Sequence, residues 1–458
     1  MKRELINQLI QWVELPGRKP LILRGARQIG KSTAVRMLAQ ATGRKLVEIN
    51  LERNVALDSI FATYDLKKII SAIEAVTRTS LPDDNSLLFL DEIQATPSAI
   101  SALRYFYEDR PNLAVIAAGS LLEQVLGQKP LEIPVGRIQY LYAGPLSFEE
   151  FVGTKGEGYF LDRIRNFELG HEWPEALHAH GLELVKEFLL VGGMPGALHQ
   201  YLTHSDGGNL ASLALQSIID TFKDDFAKYS SRQILIPVLQ QVYDQAPRNL
   251  AKPLIYKEIV PNVRHEYIKD AVNLLASARV MTLAKQNDCN GIPIAAGRRE
   301  KSPKLFWLDV ALVNRMLNLD SSWLTSDINL IHAGPIAEQF IAQHLFYWHG
   351  SFVPPSLNYW SRDGKSASAE VDFAVQYEGA IIPIEVKSGA SGSLRSLHQY
   401  LATKSPPFGI RFDGGLPHVM PIDHQVRINE KNSIQLKARV ASLPIYMVGQ
   451  LKRILAKM

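Results

Sequence analysis

Over the first 150 residues, short apolar runs alternate with stretches of helical period. Leu21–Arg24, Lys45–Asn50, Leu87–Asp91, Leu113–Ala118 and Ile138–Tyr142 read as strands. Most are continuously apolar, as expected for strands buried on both faces. Lys31–Gln40 and Ser98–Tyr107 read as helices between them. Strands alternating with helices predict a parallel sheet with right-handed crossovers.

From about Phe148 to Lys228 the pattern turns helical, in LSFEEFV and then ALHAHGLELVKEFLL. Val191–Ala197, VGGMPGA, interrupts it with glycines and a proline. Ile236–Gln245 and Ile259–Val280 continue as helices, followed by strand-like Val280–Lys285 and Lys304–Asp309. Helices followed by a small hairpin suggest a winged-helix module. Beyond Ser321 a helix, PIAEQFIAQHLFYWH, leads into two strand-like runs, AEVDFAVQY and AIIPIEVKS. A Gly/Ser-rich turn at Gly389–Ser393 and another helix complete a third, α/β unit.

Composition adds limits. The 458 residues suggest about three domains at roughly 150 residues each. A net charge of +4 neither requires nor excludes nucleic acid, since local patches matter more than the sum. Cys289 is the only cysteine, so no internal disulfide forms and a reducing, cytoplasmic setting is expected. The first residues lack the apolar core of a signal peptide, and no run nears the roughly 18 apolar residues of a membrane span. No membrane partner is expected. The histidines form no metal-binding cluster, which argues against structural zinc.

The sharpest motif is Gly25-Ala26-Arg27-Gln28-Ile29-Gly30-Lys31-Ser32, followed by Thr33. It is G-x-x-x-x-G-K-[ST] between a predicted strand and a predicted helix. The glycines let backbone N–H groups face phosphates, and the helix N-terminus adds partial positive charge. Lys31 is placed for the β- and γ-phosphates of ATP, and Ser32 for Mg²⁺. A second apolar strand ends in Asp91-Glu92. Asp91 is the expected Mg²⁺ partner and Glu92 the residue that polarises the attacking water. Leu113–Ala118 leads to Gly119-Ser120, where Ser120 either meets the γ-phosphate or is a simple turn serine. Arg137 is a candidate arginine finger or nucleotide sensor, with a solvated structural role as the alternative.

These segments, RGARQIGKST, LLFLDEIQ, AAGS and GRIQYLYAGPLSFEEF, resemble a prokaryotic branch of AAA+-type ATPases. VGGMPGA, KDAVNLLASARV and FWLDVAL fit the same pattern. The resemblance implies an N-terminal ATPase, helical and winged-helix parts, and a C-terminal domain of nuclease-like character. Ring assembly with an arginine from a neighbour is common among such relatives, so self-association is one expectation.

Near the C-terminus, Glu370-Val371-Asp372 and Glu385-Val386-Lys387 lie in adjacent strand-like runs. Residues two apart in a strand share a face. Pairing as a hairpin would bring three carboxylates and a lysine together, a set that a divalent cation would relieve. Glu338 shares a helix face with Ile341 and Leu345 and would add a fourth carboxylate. The set resembles the PD-(D/E)xK core of restriction-endonuclease-like nucleases. That resemblance makes Asp372 and Glu385 ligands of Mg²⁺ or Mn²⁺, Lys387 the catalytic lysine and Glu338 an accessory ligand. No proline precedes Asp372. The alternative is a salt-bridged hairpin in which Lys387 pairs with Asp372 or Glu370. In the middle region Lys252, Lys257, Arg264, His265 and Lys269 are interspersed with Glu258, Glu266 and Asp270, a mixed solvated face rather than a DNA stripe.

The expected fold class is α/β: a P-loop NTPase parallel sheet (1–150), a helical and winged-helix region (151–320), and a small restriction-endonuclease-like α/β domain (321–458). Two functions follow. One is an Mg²⁺-dependent ATPase coupled to a nuclease-like domain in DNA processing or defence. The other is a nucleotide-driven switch or remodeller whose C-terminal domain only binds a protein or nucleic-acid partner.

Overall fold

The computed structural model describes residues 3–119, 134–230, 232–319, 333–362, 369–389, 393–428 and 432–458. The N-terminal sheet contains β1 (Leu21–Arg24), β2 (Lys45–Asn50), β3 (Ser86–Asp91), β4 (Ala114–Ala118) and β5 (Gln139–Tyr142). Its order is β2-β3-β4-β1-β5 and every pair is parallel. Alternating residues of the apolar runs serve opposite faces. In β3, Leu87 and Phe89 enter one core while Leu88 and Leu90 enter the other. That double burial is why the strands read as unbroken apolar stretches.

A helix the apolar pattern did not announce, Glu4–Glu14, packs against the helix Lys31–Thr42 and into the core on that side of the sheet. Leu5, Ile6, Leu9, Trp12 and Val13 form its buried stripe at helical spacing, and its charged residues face outward.

The middle region is built from helices including Glu175–Val191, Gly207–Asp224, Leu235–Gln245 and His265–Ser277. The helical stretch expected over Ile259–Val280 is divided. Tyr256–Ile259 ends before Pro261, which holds Val260 extended, and the next helix starts at His265. An antiparallel hairpin follows, β6 (Met281–Asn287) with β7 (Arg298–Trp307).

β8 (Leu357–Ser361) joins β6 in parallel, and β9 (Glu370–Val371) joins β8. The two later regions therefore share one sheet, ordered β7-β6-β8-β9. A further sheet, β10-β11-β12-β14-β13, holds β10 (Phe373–Tyr377), β11 (Ala380–Val386), β12 (Gly409–Asp413), β13 (His418–Arg427) and β14 (Ser433–Pro444). The helix Arg395–Lys404 connects β11 to β12. Most of the turn expected at Gly389–Ser393 lies outside the described residues.

The PLSFEEF segment ties the N-terminal sheet to the C-terminal region. Ser147 and Glu150 form a reciprocal cap on the helix Phe148–Thr154. The Phe148 ring lies 5.8 Å from Phe188 and 5.7 Å from Phe340, centroid to centroid. The Phe148 amide donates to His344 Nε2 at 2.9 Å, and His344 Nδ1 donates to the Phe340 carbonyl at 2.7 Å. That arrangement requires a neutral ring, and burial pushes the His344 pKa down to about 4 from 6.5. The folded state thus disfavours the imidazolium that the unfolded chain forms. This stabilisation is complete above about pH 6.5 and is lost as pH falls toward 4. It is of the order of 2–3 kcal/mol. Urea unfolding at pH 7.5 and 4.5 should show wild type losing more stability than His344→Gln by about that amount; equal losses would remove His344 from the account.

Candidate functional site

The loop from Gly25 to Gly30 joins β1 to the helix Lys31–Thr42. A Cβ at position 25 would collide with Ile29 Cδ1 and the Ala143 carbonyl, so only glycine fits. Gly30, at φ 84°, forms the left-handed N-cap of the helix. Ala26 and Ile29 are fully buried and anchor the loop in the core beneath it. Arg3 donates to the Ile29 carbonyl at 2.6 Å and to the Gly144 carbonyl at 2.7 Å, propping the loop from the N-terminal helix.

Lys31 Nζ donates to the carbonyls of Gly25 (2.9 Å) and Ala26 (2.7 Å). Burial lowers its pKa to about 8, against the opposing charges of Glu92 and Asp91. It remains an ammonium at neutral pH. Ser32 Oγ donates to Asp91 Oδ2 at 2.9 Å. Asp91 ends β3, and β4 intervenes between β3 and β1. Burial raises the Asp91 pKa, in part offset by the Ser32 hydroxyl. The hydroxyl and carboxylate are hard oxygen donors suited to Mg²⁺. Glu92 follows in a left-handed conformation, φ 51°, and Gln94 Nε2 donates to its Oε2 at 2.6 Å. Any Cβ at Gly119 would strike Gln94, so the end of β4 fixes this amide in place. Thr33 is exposed on the first turn of the helix. Ser120 lies outside the described residues.

Arg27 and Gln28 face the middle region. The Arg27 guanidinium binds both carboxylate oxygens of Asp225, which is 3% exposed, and Gln28 Nε2 donates to Thr221 Oγ1 at 3.2 Å.

Within its own chain Arg137 stands away from the phosphate loop. It precedes β5 at the end where Leu21 pairs with Gln139, whereas the loop leaves β1 beside Tyr142. Its Nε donates to Glu108 at 2.9 Å instead. An arginine that the motif reading missed lies on the loop's side. Arg279, φ 60°, follows the helix His265–Ser277, and its guanidinium stands 4.7 Å from the Tyr142 ring centroid. Its charge helps lower the Lys31 pKa. A left-handed non-glycine residue costs roughly 1–2 kcal/mol. Nothing in the local sequence signals it. Asp225 was missed for the same reason, since its partner Arg27 lies 198 residues away in the sequence.

At the far end, β10 and β11 do pair as a hairpin, with Phe373 opposite Ile384, which sets Asp372 beside Glu385. The Asp372 carboxylate accepts the Val386 amide at 2.8 Å. The expected metal set is nonetheless divided. Lys387 Nζ binds Glu385 Oε1 at 2.5 Å, not Asp372 or Glu370. Glu338, Glu370 and Asp372 gather instead around Lys304 Nζ, at 3.5, 2.6 and 3.6 Å. Lys304 comes from β7 of the middle region and is 1% exposed. Among the described residues, no group of three or more His, Cys, Asp or Glu is arranged to hold a metal ion. The residues present do not fit the expected Mg²⁺ or Mn²⁺.

Comparison with known proteins agrees with the N-terminal geometry. Residues 17–152 match a family model described as an AAA domain. Residues 182–322 and 333–436 match two models described as domains of unknown function, DUF8612 and DUF4143. No curated protein matches the chain. A solved structure of the Walker-type ATPase PABY2304 of Pyrococcus abyssi is similar over 69% of this chain and 95% of its own, at 15% identity and a TM-score of 0.44. PCH-2 of C. elegans is similar over 48% of this chain and 68% of its own, at 13% identity and a TM-score of 0.29. Neither likeness is strong enough to carry the functional argument. The family match, the sheet order and the Lys31–Ser32–Asp91 geometry make the N-terminal part an AAA-type P-loop ATPase domain. No helix among the described residues is long and apolar enough to cross a membrane.

Proposed function

We propose that this chain binds and hydrolyses ATP at the Gly25–Thr33 loop and uses the cycle to reposition its middle and C-terminal regions. The observation that carries the reading is the 2.9 Å bond from Ser32 to Asp91 beside a half-buried Lys31 that closes on the loop carbonyls. The loop amides and the helix N-terminus receive the phosphates. Lys31 exchanges the Gly25 and Ala26 carbonyls for β- and γ-phosphate oxygens. Ser32 and Asp91 would hold the Mg²⁺, which would supply positive charge to offset that of the phosphates. Glu92, aimed by Gln94, orients the attacking water and draws on its proton.

Arg279 supplies positive charge to the γ-phosphate from the middle region of the same chain. Arg279→Ala should lower kcat about 10- to 100-fold, the loss of one charge-assisted hydrogen bond worth about 1.5–3 kcal/mol. Arg279→Lys should recover part of that loss. Phosphate-release kinetics test this, and wild-type turnover in Arg279→Ala would contradict it.

The coupling route is the Arg27–Asp225 clamp with Gln28–Thr221, which hangs the phosphate loop on the helix Gly207–Asp224 and its flank. This favours the nucleotide-driven switch, with the C-terminal region as the partner-binding end. The helix His265–Ser277 and the β6–β7 hairpin, in the order of a winged helix, form its lever. The nuclease reading keeps one support, the β10–β11 hairpin bearing Asp372, Glu385 and Lys387. Incubation with plasmid, linear and branched DNA plus Mg²⁺ or Mn²⁺, beside Asp372→Ala, separates the two; the switch predicts no cleavage that the substitution abolishes.

A further inference from the structure

We infer that Lys304 is a built-in counter-cation that takes the place of a divalent metal in the acidic cluster of the C-terminal region. This stands apart from the nucleotide reading, since none of its residues belongs to the phosphate loop.

Three carboxylates surround one ammonium. Lys304 Nζ is 2.6 Å from Glu370, 3.5 Å from Glu338 and 3.6 Å from Asp372. Those acids come from β9, the helix Ala333–Leu345 and the start of the β10–β11 hairpin. The lysine comes from β7, so the cluster closes only when the two later regions share their sheet. A divalent ion takes carboxylate oxygens at about 2.0–2.6 Å. It would need the oxygens the ammonium now draws in, and like charges cannot share that small volume. Lys304 has 1% exposure, so solvent does not separate the two charges. The three acids raise its pKa, holding it charged against desolvation. Burial and the neighbouring Asp372 charge raise Glu338, which reduces the excess negative charge. Lys387 is engaged elsewhere, on Glu385. A well-formed salt cluster of this kind replaces the ion's electrostatic role without its Lewis acidity.

The Tyr359 ring lies 5.2 Å from Lys304 Nζ. A terbium ion seated at that point would be sensitised by Tyr359, giving a local optical readout. Tb³⁺ emission, excited at tyrosine, is titrated on the full-length chain without nucleotide. Wild type should give no saturable emission that Asp372→Asn removes. Lys304→Met should bind Tb³⁺ at least tenfold more tightly than wild type, and Asp372→Asn in that background should abolish the gain. Saturable wild-type emission lost on Asp372→Asn would overturn the inference. So would a folded Lys304→Met with no gain. Should Lys304→Met fail to fold by circular dichroism, Lys304→Met/Glu370→Gln removes one charge of each sign and is titrated in its place. A gain in that variant supports the inference, and its absence overturns it.

Discussion

Glu92→Gln slows ATP turnover by about 10²- to 10⁴-fold, the usual contribution of a positioned acid–base group, while nucleotide affinity stays within a few-fold of wild type. The expectation rests on placement. Glu92 stands one residue beyond the Asp91 carboxylate that meets Ser32, in a left-handed conformation that turns it off the strand axis. Gln94 holds its Oε2 at 2.6 Å, and Gly119 leaves Gln94 room to do so. An amide at position 92 keeps the shape and loses the base. Lys31→Ala should behave differently, weakening nucleotide binding itself. Single-turnover hydrolysis beside equilibrium nucleotide binding separates the two variants. Wild-type turnover in Glu92→Gln would move the water-positioning role to another residue.

Phe148→Ala should cost about 3–5 kcal/mol of stability, the range for emptying a fully buried aromatic site. Phe148 is 1% exposed and packs edge-on against both Phe188 and Phe340. These rings come from three different parts of the chain, so the cavity would lie at the joint between the ATPase domain, the middle helices and the C-terminal helix Ala333–Leu345. Urea unfolding read by fluorescence checks it against Tyr159→Ala, whose ring is 71% exposed and whose loss should change stability by no more than about 0.5 kcal/mol. A cost below about 1 kcal/mol for Phe148→Ala would mean the joint repacks freely.

The parts of this molecule that were legible in its sequence share a physical cause. The central strands β1, β3 and β4 are buried on both faces, and all five strands begin and end within a residue of where the apolar runs placed them. The phosphate loop was legible because its glycines, lysine and serine must be contiguous to wrap a phosphate tail. Asp91 was legible because it ends one of those runs. The long hairpin β13–β14 was not, since much of β13 is exposed on both faces and leaves no two-residue alternation. Arg137 kept two readings in the sequence because a Gly-Arg pair does not say at which end of a parallel strand it stands, and the β1–β5 register decides that. Lys304 was invisible as a functional group. In its local sequence it is one polar residue opening an apolar strand, Lys304-Leu305-Phe306-Trp307. Its partners come from three later elements, and only the shared sheet brings them to it. The same holds for Arg279, which the packing of the middle region brings over the Tyr142 ring at the end of β5.

Equilibrium titration of the full-length chain with a fluorescent ATP analogue and Mg²⁺ tests the central claim most directly. The account predicts saturable, one-to-one binding that Lys31→Ala weakens by at least tenfold and that unlabelled ATP competes away. A folded wild-type protein whose signal rises linearly with nucleotide, untouched by competition and unchanged in Lys31→Ala, would contradict it.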